Sequence, residues 1–288
     1  MIEPTGTPAE SEGTLEAHKV EALRAHIVTS LVGFGGQPGF SGSGTLVSVA
    51  DDVVIATAGH VASEIYDFLE RGKPIIMFVS GEPARSGVTR FDEFARFAAE
   101  IKWKPECRPD VGLSKLTSEV GETLRRRAIP LNQLARRSAL GSLLQEHQEI
   151  AGFPFSFLKL PSFDVNTAAL SLATAILDPC PHRHDGSAEH GIALARGYHV
   201  DWSPPEDAPA KLLGLWNPEG MSGGPLWTVG RSIDGELWSA PSKASLVGIL
   251  FFWDKPACVR AEPIEDWVKL VREVGGSSWV DALDRVNC

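Results

Sequence analysis

The sequence predicts an all-β protein in two β-rich halves followed by a C-terminal helix, and three observations predict it. Short β-branched segments separated by Gly, Pro and Asp turns fill residues 26–116 and resume after residue 148. Between them, residues 118–148 are rich in helix formers and polar side chains and lack that alternation. Near the end, Ile264, Trp267, Val268 and Val271 recur at i, i+3, i+4 and i+7 before a Gly275-Gly276 stop.

Residues 1–25 open the chain as a polar arm rich in Pro, Gly and Glu, with a short helix expected over 14–25. The first half, 26–117, contains HIVTSLVGF, GSGTLVSV, DVVIATA, PIIMFV, AAEIKWK and DVGLSKL, all read as strands or strand-bearing segments. Residues 118–148 are the connector. The second half, 149–260, carries EIAGFPF, FDVNTAALSLATAIL, GIALARGYHVDW, MSGGPLWTV and ASLVGILFFW, again strand-like. Residues 261–288 form the C-terminal helical segment. No repeat at a solenoid period is present.

Composition excludes several classes of function. Across 288 residues, 27 basic against 37 acidic side chains leave a net charge of −10, which repels phosphate backbones and argues against nucleic-acid binding. The longest apolar run, Leu246–Trp253, is far shorter than the about 20 residues a membrane-spanning helix needs, so no membrane association is expected. The acidic start MIEPTGTPAESEG lacks the basic flank and apolar stretch of an export signal, and the four cysteines have no CxxC pair. A reducing cytoplasmic setting is therefore expected. Cys180, His182, His184 and His190 lie close together and contain a His-x-His pair of the kind that binds zinc. With no second ligand cluster, the segment is read as a polar surface loop, and no metal is expected. The basic residues Arg125–Arg127, Arg136 and Arg137 are read as a solvated face rather than a dock for an acidic partner.

Chemistry concentrates in GMSGGPL, residues 220–226, where a serine lies among three glycines. Such a loop brings backbone N–H groups near a hydroxyl, as acyl transfer requires when an oxyanion forms. Ser222 is the candidate nucleophile, and the N–H groups of Gly220 and Ser222 are the candidate donors. Taken alone, the glycines serve a tight turn equally well. A serine also needs a base. His60 follows the apolar IATAG, a context that places an imidazole at a strand end, although a buried structural histidine is the commoner case. Asp110, before the apolar VGL, is the candidate carboxylate to orient that imidazole, although such an acid is also a common solvated strand end.

His60, Asp110 and Ser222 each sit in a motif of their own, in the order His, Asp, Ser. With GSGTLVS, TAGHV, DVGL, a following GFP strand, GMSGGPL and LVGI in sequence, residues 26–255 resemble the trypsin-like (chymotrypsin-fold) serine peptidases. The resemblance implies two packed six-stranded antiparallel β-barrels, with His60 and Asp110 from the first, Ser222 from the second and the site in the cleft between them. It implies an endopeptidase that works through an acyl-enzyme on a protein or peptide substrate, with no cofactor. The alternative is a catalytically silent binding module on the same barrels. GMSGG also satisfies the GxSxG of the α/β-hydrolases, but there the histidine follows the serine. Here the last histidine, His199, precedes it, and Pro225 disfavours the helix that an elbow starts.

By the same resemblance, Trp216 floors the specificity pocket, Asn217 and Glu219 lie near its rim, and Phe251, Phe252 and Trp253 wall it. No carboxylate lies on that floor, so a buried Lys or Arg would lack a counter-charge, and an apolar or small side chain is expected. Val61 follows the histidine where secreted members carry a cysteine, so their bracketing disulfide is missing. Met221 stands where zymogen-activated members carry an aspartate that pairs with a new N-terminus. Constitutive competence, or control by an activating protein partner, is expected.

Overall fold

A computed structural model describes residues 29–34, 38–73, 75–80, 88–91, 98–104, 109–134, 147–152, 173–177, 198–201, 220–229, 244–254 and 258–286. Its strands form two sheets. The first holds β1 (Thr29–Phe34), β2 (Pro38–Val49), β3 (Asp52–Thr57), β4 (Ile75–Ser80), β5 (Val88–Phe91), β6 (Ala98–Trp103), β7 (Gly112–Leu116) and β8 (Ile129–Pro130). Their order is β5-β4-β1-β2-β3-β7-β6, with the two-residue β8 added beside β2. Every pairing is antiparallel except β2 with β8.

The second sheet holds β9 (His147–Gly152), β10 (Ala173–Leu177), β11 (Tyr198–Asp201), β12 (Pro225–Val229), β13 (Ala244–Asp254) and β14 (Cys258–Pro263). Its order is β10-β9-β12-β13-β14-β11, antiparallel throughout. In both sheets the two end strands, β5 with β6 and β10 with β11, are successive in sequence. Among the described residues the second sheet has six strands and the first has eight, because VTRF at 88–91 pairs as a strand of its own and Ile129–Pro130 adds β8.

Among the described residues, four helices accompany the sheets: α1 (Gly59–Glu70), α2 (Ser118–Leu124), α3 (Ile264–Val274) and α4 (Ser277–Arg285). Helix α3 is the expected amphipathic helix, with Ile264, Trp267, Val268, Leu270 and Val271 buried and Glu265 and Asp266 at its positive end. Helix α1 is an addition to the sequence-based expectation, while α4 lies within the expected C-terminal helical segment, past the Gly275-Gly276 stop. The helix expected over 14–25, the Cys180–His190 cluster, Arg136 and Arg137 lie outside the described residues. Arg125 is engaged, its Nη2 donating to the Asp51 carbonyl and its Nε to Glu122 Oε2 at 3.1 Å.

The first core runs between the sheet and α1. Leu46, Val53 and Ile55 meet Val61 and Ile65 of α1, with Ile75, Met77 and Val79 of β4 and Leu116, Val120 and Leu124 beyond. Each such side chain contributes about 1.5–3 kcal/mol on leaving water. Strand β3 is buried from Val53 to Thr57, which explains why DVVIAT is continuously apolar rather than alternating.

The C-terminal helices return to the first sheet. Trp267 Nε1 donates to the Gly112 carbonyl at 3.2 Å, and Trp279 Nε1 donates to Asp52 Oδ2 at 2.7 Å, where Lys115 Nζ also donates at 2.8 Å. Burial pushes the Asp52 carboxyl up, but these two hydrogen bonds and the charges of Lys115 and Arg125 outweigh it and hold it below the usual carboxylate range. The stability this contributes is present above the carboxyl's unfolded pKa and is lost as pH falls through the folded one.

Candidate active site

Helix α1 begins one residue after β3, yet its N-cap position is Ala58, which has no side chain to receive the first-turn N–H groups. Asp110 takes that role from fifty residues away. Its Oδ1 accepts the backbone N–H of His60 at 2.8 Å, while its Oδ2 lies 2.7 Å from His60 Nδ1. A carboxylate only accepts, so Nδ1 carries the proton in this contact and Nε2 is left with its lone pair. Gly59 makes the approach possible: a Cβ there would sit 2.8 Å from Asp110 Oδ1. Behind, the N–H of Asp110 donates to Glu262 Oε1 at 3.1 Å, and both residues are buried. Asp110 is thus held from α1 and from β14.

Burial disfavours the charged form of His60, but the Asp110 hydrogen bond, the Asp110 charge and the charge of Glu64, one turn along α1, outweigh it. The His60 pKa is raised above the ordinary value of 6.5. A base must be neutral to act, so with His60 as the base the acid limb of a kcat/KM profile is expected above that value, with activity rising as pH rises through it. Glu64→Gln removes one of the charges favouring the imidazolium, so the limb moves to lower pH. A limb that stays in place in a pH–rate series with a small peptide ester contradicts this account.

The loop carrying Ser222 lies against the first sheet. Gly220 and Gly223 have φ of +94° and +91°, a region open to glycine. Ser43 N donates to the Ser222 carbonyl at 2.7 Å, Ser43 Oγ donates to the Gly220 carbonyl at 2.9 Å, and Thr57 Oγ1 donates to the Ser43 carbonyl at 2.7 Å. Within the loop and toward β13, Gly224 N donates to the Met221 carbonyl at 2.8 Å and Gly223 N to the Leu250 carbonyl at 2.6 Å. Among the described residues, the N–H groups of Gly220 and Ser222 have no internal acceptor.

A Cβ at residue 223 would fall 1.9 Å from the Ser43 carbonyl oxygen and 2.2 Å from Thr57 Oγ1. Gly223→Ala therefore adds overlap, at about 1–3 kcal/mol, to backbone strain of about 1–3 kcal/mol. Thermal unfolding is expected to show a large fall in Tm, and a Tm equal to wild type refutes the close approach.

Of the expected site residues, His60 and Asp110 are in direct contact. Ser222 is half-buried, and its hydroxyl donates to the Phe251 carbonyl at 3.4 Å rather than to the imidazole. Phe251 is half-buried and packs its side chain on the core under α1. Met221 is buried. Trp216, Asn217 and Glu219 lie outside the described residues, as do the side chains of Phe252 and Trp253. Sequence reasoning missed Ser43, Thr57, Glu64 and Glu262. The GSG of β2 was a readable signal for Ser43, and i+4 spacing from His60 on a helix was one for Glu64.

No family model matches the chain, and no curated protein does. Among solved structures, Deg5 matches with a TM-score of 0.48 at 13% identity, over 95% of this chain and 99% of that one. The scabies mite inactivated protease paralogue S-I1 matches with a TM-score of 0.52 at 10% identity, over 88% of this chain and 96% of that one. The second likeness shows the fold alone, and that fold is chymotrypsin-like.

Proposed function

We propose that this chain is a trypsin-like serine endopeptidase in which His60, Asp110 and Ser222 act together. Ser222 Oγ attacks the carbonyl carbon of the scissile peptide bond as His60 Nε2 takes its proton, and Asp110 holds the imidazole and stabilises its charged form. The N–H groups of Gly220 and Ser222 receive the oxyanion. The protonated His60 then gives its proton to the leaving amine, and water repeats the sequence on the acyl-enzyme. None of these steps calls for a metal or organic cofactor.

The observation that carries this reading is the two-point hold of Asp110 on His60, at 2.8 and 2.7 Å, beside a loop that ties Ser222 to the same sheet. The Ser222–Phe251 bond is long for an O–H···O contact, and rotation about a single staggered bond releases the hydroxyl from it. The ring of His60, with 40% of its side-chain surface exposed, is open to a substrate. Successive strands at both ends of each sheet support closure into two barrels, divided as 26–117 and 149–260, with 118–148 as connector. The substrate is a protein or peptide in the cytoplasm, cleaved after an apolar or small side chain, and competence is constitutive or under the control of an activating protein partner.

Among the described residues, no helix is long and apolar enough to cross a membrane. A second reading, a silent binding module, is favoured by the Ser222 hydroxyl facing Phe251 and by a fold neighbour whose own description is an inactivated protease. A fluorophosphonate probe with a peptide-library digest separates the two. Labelling at Ser222, lost in Ser222→Ala, together with cleavage supports the peptidase; neither labelling nor cleavage supports the binding module.

A further inference from the structure

The hydroxyl of Ser43 lies outside the three side chains assigned to the chemistry, yet Ser43 is fully buried and makes two hydrogen bonds to the loop they depend on. Its Oγ holds the Gly220 carbonyl at 2.9 Å, and its N–H holds the Ser222 carbonyl at 2.7 Å. Between those two fixed peptide units hangs the Met221–Ser222 peptide, whose carbonyl accepts from Gly224 N at 2.8 Å. In a planar trans peptide, C=O and N–H point to opposite sides, so the Ser222 N–H is turned away from the loop interior. Three consecutive peptide orientations are thus set, two of them by Ser43. Ser43 is in turn fixed by Thr57 Oγ1, three residues before His60 in the chain.

We propose that Ser43 is a positioning residue for the oxyanion site, stitching the nucleophile loop to the strand pair that leads into His60. The proposal rests on the peptidase reading. Its consequence is a site whose donors are set before substrate arrives, with no charge–charge contact from Met221. Without the Ser43 hydroxyl, the Gly220 carbonyl loses the bond that fixes the Gly220–Met221 peptide. The loop then places its donors correctly for only part of the time, while substrate binding elsewhere in the cleft is untouched. Donor placement matters where charge develops, so the loss falls on the transition state rather than the ground state.

The test compares wild type, Ser43→Ala and Thr57→Val on a fluorogenic peptide chosen from the wild-type digest, with a peptide boronate of the same sequence as a transition-state mimic. Wild-type turnover and fluorophosphonate labelling are measured first; if both are missing, the peptidase reading itself has failed. With an active wild type, Ser43→Ala is expected to lower kcat by about tenfold or more, with KM within about twofold and boronate affinity weakened in parallel with kcat. Thr57→Val is expected to show the same pattern more weakly. Unchanged kcat in a cooperatively melting Ser43→Ala, or a change confined to KM, overturns the proposal. If Ser43→Ala does not melt cooperatively, Thr57→Val decides, and wild-type kcat and boronate affinity there overturn it.

Discussion

Ser222→Ala is expected to lower kcat for peptide-bond hydrolysis by about 10⁴- to 10⁶-fold while leaving Tm nearly unchanged. The loss is large because the covalent route vanishes, leaving only what binding and the oxyanion donors contribute. The fold is spared because the Ser222 side chain makes one long hydrogen bond, while the loop is held through backbone carbonyls and N–H groups that alanine retains. His60→Ala is expected to fall in the same range, and the double variant to cost little more than either, since residues that act as a unit are non-additive. Steady-state turnover of a fluorogenic peptide beside a thermal melt measures both quantities. Hydrolysis retained by Ser222→Ala removes that residue from the chemistry.

Asp110→Asn is expected to cost about 10⁴-fold in kcat. The geometry explains why so small a change does so much. One oxygen of residue 110 is committed to the backbone N–H of His60 at 2.8 Å, so the amide oxygen of asparagine stays there and continues to cap α1. The amide NH₂ must then face Nδ1, which becomes an acceptor, and the proton moves to Nε2, the nitrogen required as base.

Asp110→Asn also changes stability with a defined sign. Because Asp110 helps to raise the His60 pKa in the folded state, the pair adds stability that is complete below histidine's unfolded pKa. That contribution disappears as pH rises through the folded pKa. The deficit in Tm of Asp110→Asn against wild type is therefore larger at about pH 5 than at about pH 9. An equal deficit at both values, or wild-type turnover, contradicts the role given to Asp110.

Most strands were readable because their signal is local. DVVIAT, PIIMFV and ASLVGILFFW are apolar or β-branched runs bounded by turn residues, and each appears as a strand within a few residues of its expected limits. Helix α3 was readable because its buried stripe recurs at helical spacing and its first turn carries acids. Helix α1 has a comparable stripe in Val61, Ile65, Phe68 and Leu69, and it ends beside Gly72 at φ +63°. It went unread because Ala58 offers no cap, and the group that satisfies the first turn is Asp110, from another part of the chain. VTRF at 88–91 is too short to announce itself, and it becomes a strand by pairing with β4.

From the linear chain alone came the residue types of the candidate site, their order and the β character of both halves, because those properties reside in single segments. Folding alone settled which atoms meet: the two oxygens of Asp110 on His60, Glu262 behind them, Ser43 on the carbonyls around Ser222, and two tryptophans pinning the C-terminal helices to the first sheet. These contacts join residues 50 to more than 200 positions apart. A hydrogen bond is satisfied by distance and direction rather than by neighbours in the chain, and no local pattern encodes such a partner.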